Sequence, residues 1–148
     1  MEKLFNKENV NRVQKIIKKF DPLMEVIILK KTAKTALEAS EALGCKSGAI
    51  IKSLIIKVSD RFLLCLIAGD KKCSFNKLKI ILNTKNLSMA SAKEVKSQTG
   101  FSIGGVSPVA HINNLNIFID QSLDRFGDLF AAAGHPNCIF KINYKDLI

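Results

Sequence analysis

The sequence predicts a single α+β domain with a mixed β-sheet and surrounding helices. Its 148 residues are the length of one ordinary domain. Because 47% of the residues are hydrophobic and 24% are charged, the composition is that of a globular chain rather than a disordered one. Helix-like and strand-like patterns follow each other without a regular β-α-β rhythm, which favours an α+β architecture. We therefore expect residues 1–148 to form one domain, with an N-terminal helix in residues 1–21.

The first third of the chain predicts a helix, a strand and a second helix. Apolar residues recur at spacings of three and four over residues 8–20, and an Asp-Pro pair ends this amphipathic helix. A short β-rich run follows at Glu25–Leu29. The next helix begins at Thr35, which forms a capping box with Glu38, and it ends at Gly44.

The central segment predicts a β-hairpin. Ile50–Val58 and Arg61–Ala68 are apolar, β-branched or aromatic runs that two polar residues separate. Two short helices follow, one over Ser74–Leu82 and one that a second capping box opens at Ser91. Beyond a glycine-containing loop, the remaining strands are predicted at Ile117–Ile119, Leu129–Ala133 and Cys138–Ile142.

The net positive charge comes from the first two thirds of the chain. The formal net charge is +10, and residues 1–33, 34–96 and 97–148 carry +4, +7 and −1. Such an excess suits a phosphate-bearing partner, because neutralising phosphates releases counterions and steers encounter. Since 20 of the basic residues are lysines, the same charge also fits the composition bias of an AT-rich genome. The sequence leaves both interpretations open.

Membrane, secreted and metal-binding classes find no support in the sequence. The longest apolar runs, such as Phe62–Ala68, are far shorter than the ~20 residues of a transmembrane helix, and the N-terminus lacks the apolar region of a signal peptide. We therefore expect a cytoplasmic protein whose four cysteines are free thiols. No Cys or His cluster has convincing metal-ligand spacing, and no P-loop or dinucleotide fingerprint occurs, so we expect no metal and no cofactor.

Lys52 is the most informative single position. Alternation along its strand places Lys52 on the face of Leu54, Ile56 and Val58, and places Lys57 on the opposite face. Burying an unpaired ammonium is unfavourable. Such a lysine therefore either extends its charge to solvent at the end of the strand or lines a pocket that holds an anion. From the residues alone, both interpretations remain open.

Two later segments are further candidates for contact with a ligand. In the loop Ile103–Pro108, Gly104 and Gly105 permit positive φ and a close approach of the backbone to a ligand, and N–H groups of such a loop can bind an anion or a carbonyl oxygen. The turn Gly134–Asn137 carries His135, which can position a polar group or titrate near neutrality. Taken singly, each segment is equally an ordinary turn.

Five segments form one ordered pattern, namely Glu38–Gly44, Ile50–Leu54, Gly104–Pro108, Ile117–Asp120 and Ala131–Asn137. This pattern resembles the YbaK and prolyl-tRNA synthetase-associated editing domain family in order and spacing, over nearly the whole chain after residue 25. The resemblance implies a free-standing aminoacyl-tRNA deacylase that removes a small non-cognate amino acid, typically from proline tRNA. Its implied partners are tRNA and, as a second candidate, prolyl-tRNA synthetase.

The same resemblance assigns roles to residues. Lys52 matches the essential lysine of the family and is the expected catalytic residue. The expected substrate-binding residues are Gly104, Gly105, Val106, Ser107, Pro108 and His135. From the basic segment we expect four tRNA-backbone contacts, Lys71, Lys72, Lys77 and Lys79. The early tyrosine and the late turn of the cysteine-removing subgroup are missing here, so the amino acid that is removed stays open.

Two other functions also stay open at this point. A non-catalytic tRNA- or partner-binding module on the same fold would keep the basic surface but would show no turnover. A hydrolase of small aminoacyl esters would turn over its substrate but would not need the basic surface. The sequence does not indicate the oligomeric state.

Overall fold

Two β-sheets and five α-helices make up the described part of the chain, which confirms the predicted α+β fold. The computed structural model describes residues 8–30 and 35–148. Residues 1–7 of the expected N-terminal helix lie outside the described residues. From Glu8 onward this helix has the bounds that the apolar spacing predicts.

The larger sheet has four strands in the order β4-β2-β3-β5. They are β2 (Ile51–Val58), β3 (Arg61–Ala68), β4 (Leu87–Met89) and β5 (Asn116–Ile119). Strands β2 and β3 form the predicted antiparallel hairpin, with Lys52 opposite Ile67. Because β5 runs parallel to β3, this sheet is mixed, as predicted.

The smaller sheet is antiparallel, in the order β1-β7-β6. Its strands are β1 (Ile27–Ile28), β6 (Leu129–His135) and β7 (Cys138–Ile142). A parallel bridge between Ile50 and Phe130 joins it to the start of β2. The turn between β6 and β7 is shorter than the predicted Gly134–Asn137, because β6 continues through His135 and pairs with Cys138 there.

Two of the five described helices begin at capping residues that the sequence predicts. The five are α1 (Glu8–Phe20), α2 (Ala36–Leu43), α3 (Phe75–Leu82), α4 (Ala92–Thr99) and α5 (Tyr144–Leu147). The Thr35 side chain accepts the Glu38 N–H at the start of α2, and Ser91 and Glu94 form a complete capping box at the start of α4. Each of these two helices ends at a glycine in the left-handed conformation.

Four short elements were not predicted from the sequence. They are β4, α5 and two 3₁₀ helices, Ser47–Ala49 and Gln121–Arg125. Elements of three to five residues are too short to show an apolar period. Strand β4, for example, is defined by its pairing with Ile56–Val58 rather than by its own residues.

Apolar side chains cover both faces of the hairpin. The face with Ile55 and Leu64 lies in the main core, together with α1 and the smaller sheet. The face with Ile56 and Leu63 packs on Leu78 of α3. Since Ile55 is 2% exposed and Ile56 is 0% exposed, consecutive residues of β2 are both buried. This explains why the strand is a nearly continuous apolar run in the sequence.

Within residues 8–30 and 35–148, no helix is both long and apolar enough to span a bilayer. All four cysteines are free thiols, namely Cys45, Cys65, Cys73 and Cys138. In the same ranges, no three His, Cys, Asp or Glu side chains gather into a group that could hold a metal ion.

Candidate functional site

The candidate site is a cavity of about 330 Å³ where the two sheets part. Strand β4 pairs with β2 only over Ile56–Val58, and the smaller sheet meets the start of β2 at the Ile50–Phe130 bridge. Between these two points, the edge of β2 at residues 51–54 faces the cavity. Residues of β6, β7, the turn between them, α2 and the loop that contains Gly104 and Val106 form the other walls.

Lys52 lines this cavity, and its side chain is half-buried. Its Nζ donates a hydrogen bond to the main-chain carbonyl oxygen of Lys71, in the turn that follows β3. The predicted face is confirmed, because Leu54, Ile56 and Val58 lie in the second apolar cluster on that side of the sheet. Burial raises the pKa of the nearby Cys73 thiol, and the positive charge of Lys52 counteracts part of that rise.

Only part of the loop Ile103–Pro108, here called the glycine loop, lines the cavity. Gly104 and Val106 line it, whereas Ser107 and Pro108 are buried behind them. The Ser107 Oγ accepts the Val109 N–H (3.1 Å), and the Ser107 carbonyl oxygen accepts a hydrogen bond from His111 Nε2 (2.6 Å). Burial lowers the pKa of His111. Ser107 therefore holds the loop in shape and does not line the cavity.

The two glycines of this loop serve different purposes. Gly104 has φ 93°, in the region that favours glycine. Gly105 is not among the positive-φ glycines, so the prediction of positive φ is wrong at this residue. It approaches the protein's own backbone instead, since a Cβ there would lie 2.9 Å from His135 N. The Gly134 N–H donates to the Gly105 carbonyl oxygen (3.0 Å), which fastens the loop to β6.

His135 lies outside the Lys52 cavity. It lines a second, more polar cavity of about 300 Å³, to which Gly105 and Lys96 also contribute. Its Nδ1 accepts the Asn137 N–H (3.0 Å), which fixes the ring beside the β6–β7 turn. The next residue, Pro136, lines both cavities. The structure therefore places His135 beside the candidate site and not in it.

The predicted tRNA-contacting lysines lie in the turn after β3 and in α3. Lys71, Lys72 and Lys77 are exposed, and Lys79 is half-buried. Lys71 is the residue whose carbonyl oxygen holds Lys52. The exposed lysines therefore begin in the turn that borders the site and continue into α3.

An ion pair anchors this same turn. Arg125 Nη1 and Nη2 donate to the two carboxylate oxygens of Asp70 (3.1 and 2.8 Å). The hydrogen bond from Arg125 lowers the pKa of the Asp70 carboxyl. The guanidinium also lies 4.9 Å from the centre of the Phe126 ring. Because Asp70 and Arg125 are far apart in the sequence, this support was not predictable from spacing.

The start of α2 is a second feature that the sequence did not assign to the site. Thr35, Ala36 and Ala39 line the cavity. Two alanines leave the helix backbone close to it, and the first turn of a helix carries partial positive charge. The sequence predicted where this helix begins, but only the fold shows that its start lines the same cavity as Lys52.

Few ionisable groups line the cavity. Among the described lining residues they are Lys52 and Cys138, and the rest are apolar, Gly, Ser or Thr. Burial raises the pKa of Cys138 to about 11, so at neutral pH it is a thiol and not a nucleophilic thiolate. The arrangement suits chemistry that positions a water molecule, rather than attack by a side chain.

Comparison with known proteins relates most of the chain to one family. The sequence profile of the aminoacyl-tRNA editing domain family matches residues 30–148. YwhH of Bacillus subtilis (strain 168), an uncharacterised protein, is 32% identical over 124 residues, which are 83% of this chain and 78% of that protein.

Synthetases and a solved structure are similar as well. The proline–tRNA ligase of Bacillus subtilis (strain 168) is 31% identical over 108 residues, which are 73% of this chain and 19% of the ligase. The chain thus spans about a fifth of that ligase. A structure described as a candidate trans-editing enzyme for prolyl-tRNA synthetase has a TM-score of 0.88 and 31% identity, over 95% of this chain and 90% of that one.

Proposed function

Because the chain belongs to the aminoacyl-tRNA editing domain family, we propose that it is a free-standing deacylase that hydrolyses the ester bond of mischarged tRNA. Its proposed substrate is proline tRNA carrying a small non-cognate amino acid, and its proposed compartment is the cytoplasm. The similarity to proline–tRNA ligases supports this choice of tRNA. The proposal is carried by the cavity at the open edge of β2, where Lys52, the Gly104 loop and the start of α2 meet.

The proposed chemistry relies on positioning. Hydrolysis of an activated ester needs a placed water molecule and stabilisation of the developing oxyanion. Lys52 binds the terminal phosphate or ribose, and main-chain N–H groups around Gly104 and Val106 bind the carbonyl or aminoacyl end. A ribose hydroxyl helps to activate the water. This division of roles agrees with a cavity whose one thiol, Cys138, stays protonated.

Selectivity in this proposal comes from the size of the cavity. A synthetase separates small apolar side chains poorly, because one methylene contributes only about 1–3 kcal/mol of discrimination. A second site that admits small aminoacyl groups corrects such errors. The cavity of about 330 Å³ has short side chains in its walls, including Ala36, Ala39 and Ala131. It therefore has room for a small aminoacyl group.

A deacylation panel tests the proposed function. Proline tRNA is charged separately with Ala, Cys, Ser, Thr and Pro, and the loss of each ester is followed with and without the protein. We expect at least one non-cognate ester to be hydrolysed much faster than the prolyl ester. No acceleration of any ester would favour a binding module. Equal kcat/KM for a small aminoacyl ester and for aminoacyl-tRNA would favour a small-ester hydrolase.

Binding of tRNA is expected to weaken steeply with added salt. Each phosphate that a lysine neutralises contributes roughly −0.7 to −0.9 to the slope of log affinity against log salt. Three or four such contacts from Lys71, Lys72, Lys77 and Lys79 therefore predict a slope of about −2 to −4. Fluorescence anisotropy with uncharged tRNA at several salt concentrations measures it. A flat titration would mean that the charge of +10 is composition bias.

A charge-reversal variant tests whether these lysines contact the tRNA backbone. The triple variant Lys72→Glu, Lys77→Glu and Lys79→Glu should lower tRNA affinity more than it changes turnover at saturation, because phosphate contacts position the substrate and the cavity carries the chemistry. Lys71 is left unchanged because its carbonyl oxygen holds Lys52. The control reverses Lys141 and Lys145, two exposed lysines in the C-terminal third. An equal loss of affinity in the control would show that the contact is not specific to this surface.

A further inference from the structure

Ser53 is a polar residue at a position where the strand otherwise buries apolar side chains. It lies between Ile51 and Ile55, which share its face of β2 and belong to the main core. It also lines the cavity of the candidate site. Its Oγ is shielded from solvent and has no hydrogen-bond partner among the described residues. Burying an unpaired hydroxyl is unfavourable, so such a group in a native cavity calls for an explanation.

The main-chain N–H and C=O groups of Ser53 also point toward the edge of β2 that borders the cavity. The carbonyl oxygen of Ile55 accepts the Ala90 N–H, on the side of β2 away from β3. Because main-chain groups alternate along an antiparallel strand, those of Ser53 point to this same side. At Ser53, however, β4 has ended its pairing and the bridge at Ile50 has not begun. Ser53 therefore offers a main-chain carbonyl oxygen as well as a hydroxyl.

An aminoacyl ester brings a positive charge into this cavity. At neutral pH much of its α-amino group is ammonium, which needs oxygen acceptors. No Asp or Glu is among the described residues that line the cavity. The acceptors must therefore be neutral oxygens. Lys52 and Ser53 bind different groups in this proposal, because their side chains leave opposite faces of β2 and the Lys52 ammonium binds the terminal phosphate or ribose.

We propose that Ser53 binds the α-ammonium group of the aminoacyl moiety, with its hydroxyl and its main-chain carbonyl oxygen as acceptors. Because the Ser53 hydroxyl is shielded from solvent in the structure, this role requires it to rotate about the Cα–Cβ bond into a staggered rotamer that faces the cavity. Ser53 then distinguishes an aminoacyl ester from an ester without the amino group. This role rests on the proposed deacylase function and adds a recognition residue to it.

The test compares two esters on the same tRNA. One is the aminoacyl ester that the wild type hydrolyses fastest, and the other lacks only the α-amino group, as propionyl-tRNA does relative to alanyl-tRNA. For Ser53→Ala we expect kcat/KM to fall about tenfold on the aminoacyl ester, as for a lost hydrogen bond to a charged group. On the des-amino ester we expect a change of less than about twofold. Ser53→Thr, which keeps the hydroxyl, should retain the preference for the amino group.

The chain contains a matched control for this substitution. Ser122 Oγ is likewise shielded from solvent, but it lies beside the Asp120 carboxylate, and Ser122 does not line the cavity. Ser122→Ala should leave both kcat/KM values unchanged. Thermal unfolding of both variants checks that they fold. An equal loss on both esters for Ser53→Ala, or no loss on either, overturns the role proposed for Ser53.

A binding measurement separates this inference from the proposed function. The probes are 3′-alanylamino-3′-deoxyadenosine and its propionylamino counterpart, which cannot be hydrolysed as esters. Tighter binding of the alanyl compound that is lost in Ser53→Ala supports the ammonium site, even where the tRNA panel shows no turnover. Equal binding of the two compounds by the wild type overturns it, even where the panel shows rapid deacylation.

Discussion

Replacing Lys52 by alanine is expected to remove most deacylation while the fold stays intact. The Lys52 ammonium stands at the start of β2, at the cavity, and it is held by one main-chain carbonyl oxygen. Without it the cavity loses its one basic side chain among the described lining residues. We expect kcat/KM to fall at least ~100-fold, which corresponds to about 2.7 kcal/mol of lost transition-state stabilisation.

Stability should change little in the same variant. Lys52 is half-buried, and the structure gives its ammonium no carboxylate partner among the described residues. We therefore expect the free energy of unfolding to stay within about 1 kcal/mol of the wild type. Single-turnover deacylation and thermal unfolding, measured on the same preparation, check the two expectations separately.

Lys57 is the matched control on the same strand. It lies on the opposite face and pairs with Glu94 at the surface (2.9 Å between Nζ and Oε2). Surface ion pairs of this kind contribute little to stability. Lys57→Ala should therefore keep both the fold and the rate. Near-full activity of Lys52→Ala, or its failure to fold, would show that the role proposed for Lys52 is wrong.

The parts of the fold that were predictable depend on residues close in sequence. The hairpin of β2 and β3 follows from two apolar runs and a polar turn between them. The starts of α2 and α4 follow from Thr35 and Ser91, which cap the two helices. The predicted capping box is complete at Ser91, whereas at Thr35 only the bond from the Glu38 N–H to the cap is present. The face of Lys52 follows from strand alternation alone. In each case, the determining interactions lie within a few residues along the chain.

The division of the strands into two sheets was not predictable in the same way. It depends on the pairing of β6 with β7 rather than with β2, which β6 contacts only through the bridge between Phe130 and Ile50. This division opens the edge of β2 and so creates the cavity. The position of Ser53 at that cavity and the anchoring of Asp70 by Arg125 also depend on contacts across the fold. A single sequence contains no local signal for such contacts.

The glycine loop shows that a glycine can be required for either of two physical reasons. A Gly-Gly pair predicted positive φ and a close approach to a ligand. Positive φ occurs at Gly104, but the close approach at Gly105 is to the backbone of β6. Both arrangements require glycine, so the sequence cannot distinguish them. The distinction changes the expected effect of a substitution at Gly105.

Gly105→Val is expected to lower both stability and activity. A Cβ at this position would lie 2.9 Å from His135 N and 3.0 Å from the Gly134 carbonyl carbon. Because both are backbone atoms of a paired strand, they cannot move aside as a flexible side chain could. The loop must shift instead, and the hydrogen bond from Gly134 to Gly105 must lengthen or break. Overpacking of this kind costs about 1–3 kcal/mol of folding free energy.

Activity should fall for the same reason, since the residues on either side of Gly105 line the cavity. A displacement of the loop by about 1 Å moves the N–H groups proposed to bind the substrate, and misplacement of that size can cost ~100-fold in rate. Ser107→Ala, which removes only the acceptor of the Val109 N–H, should have a milder effect. Rates are compared well below the unfolding temperature of each variant, so that unfolded protein does not contribute to the loss. Equal and small effects of the two substitutions would show that the loop shapes its own turn and does not position the substrate.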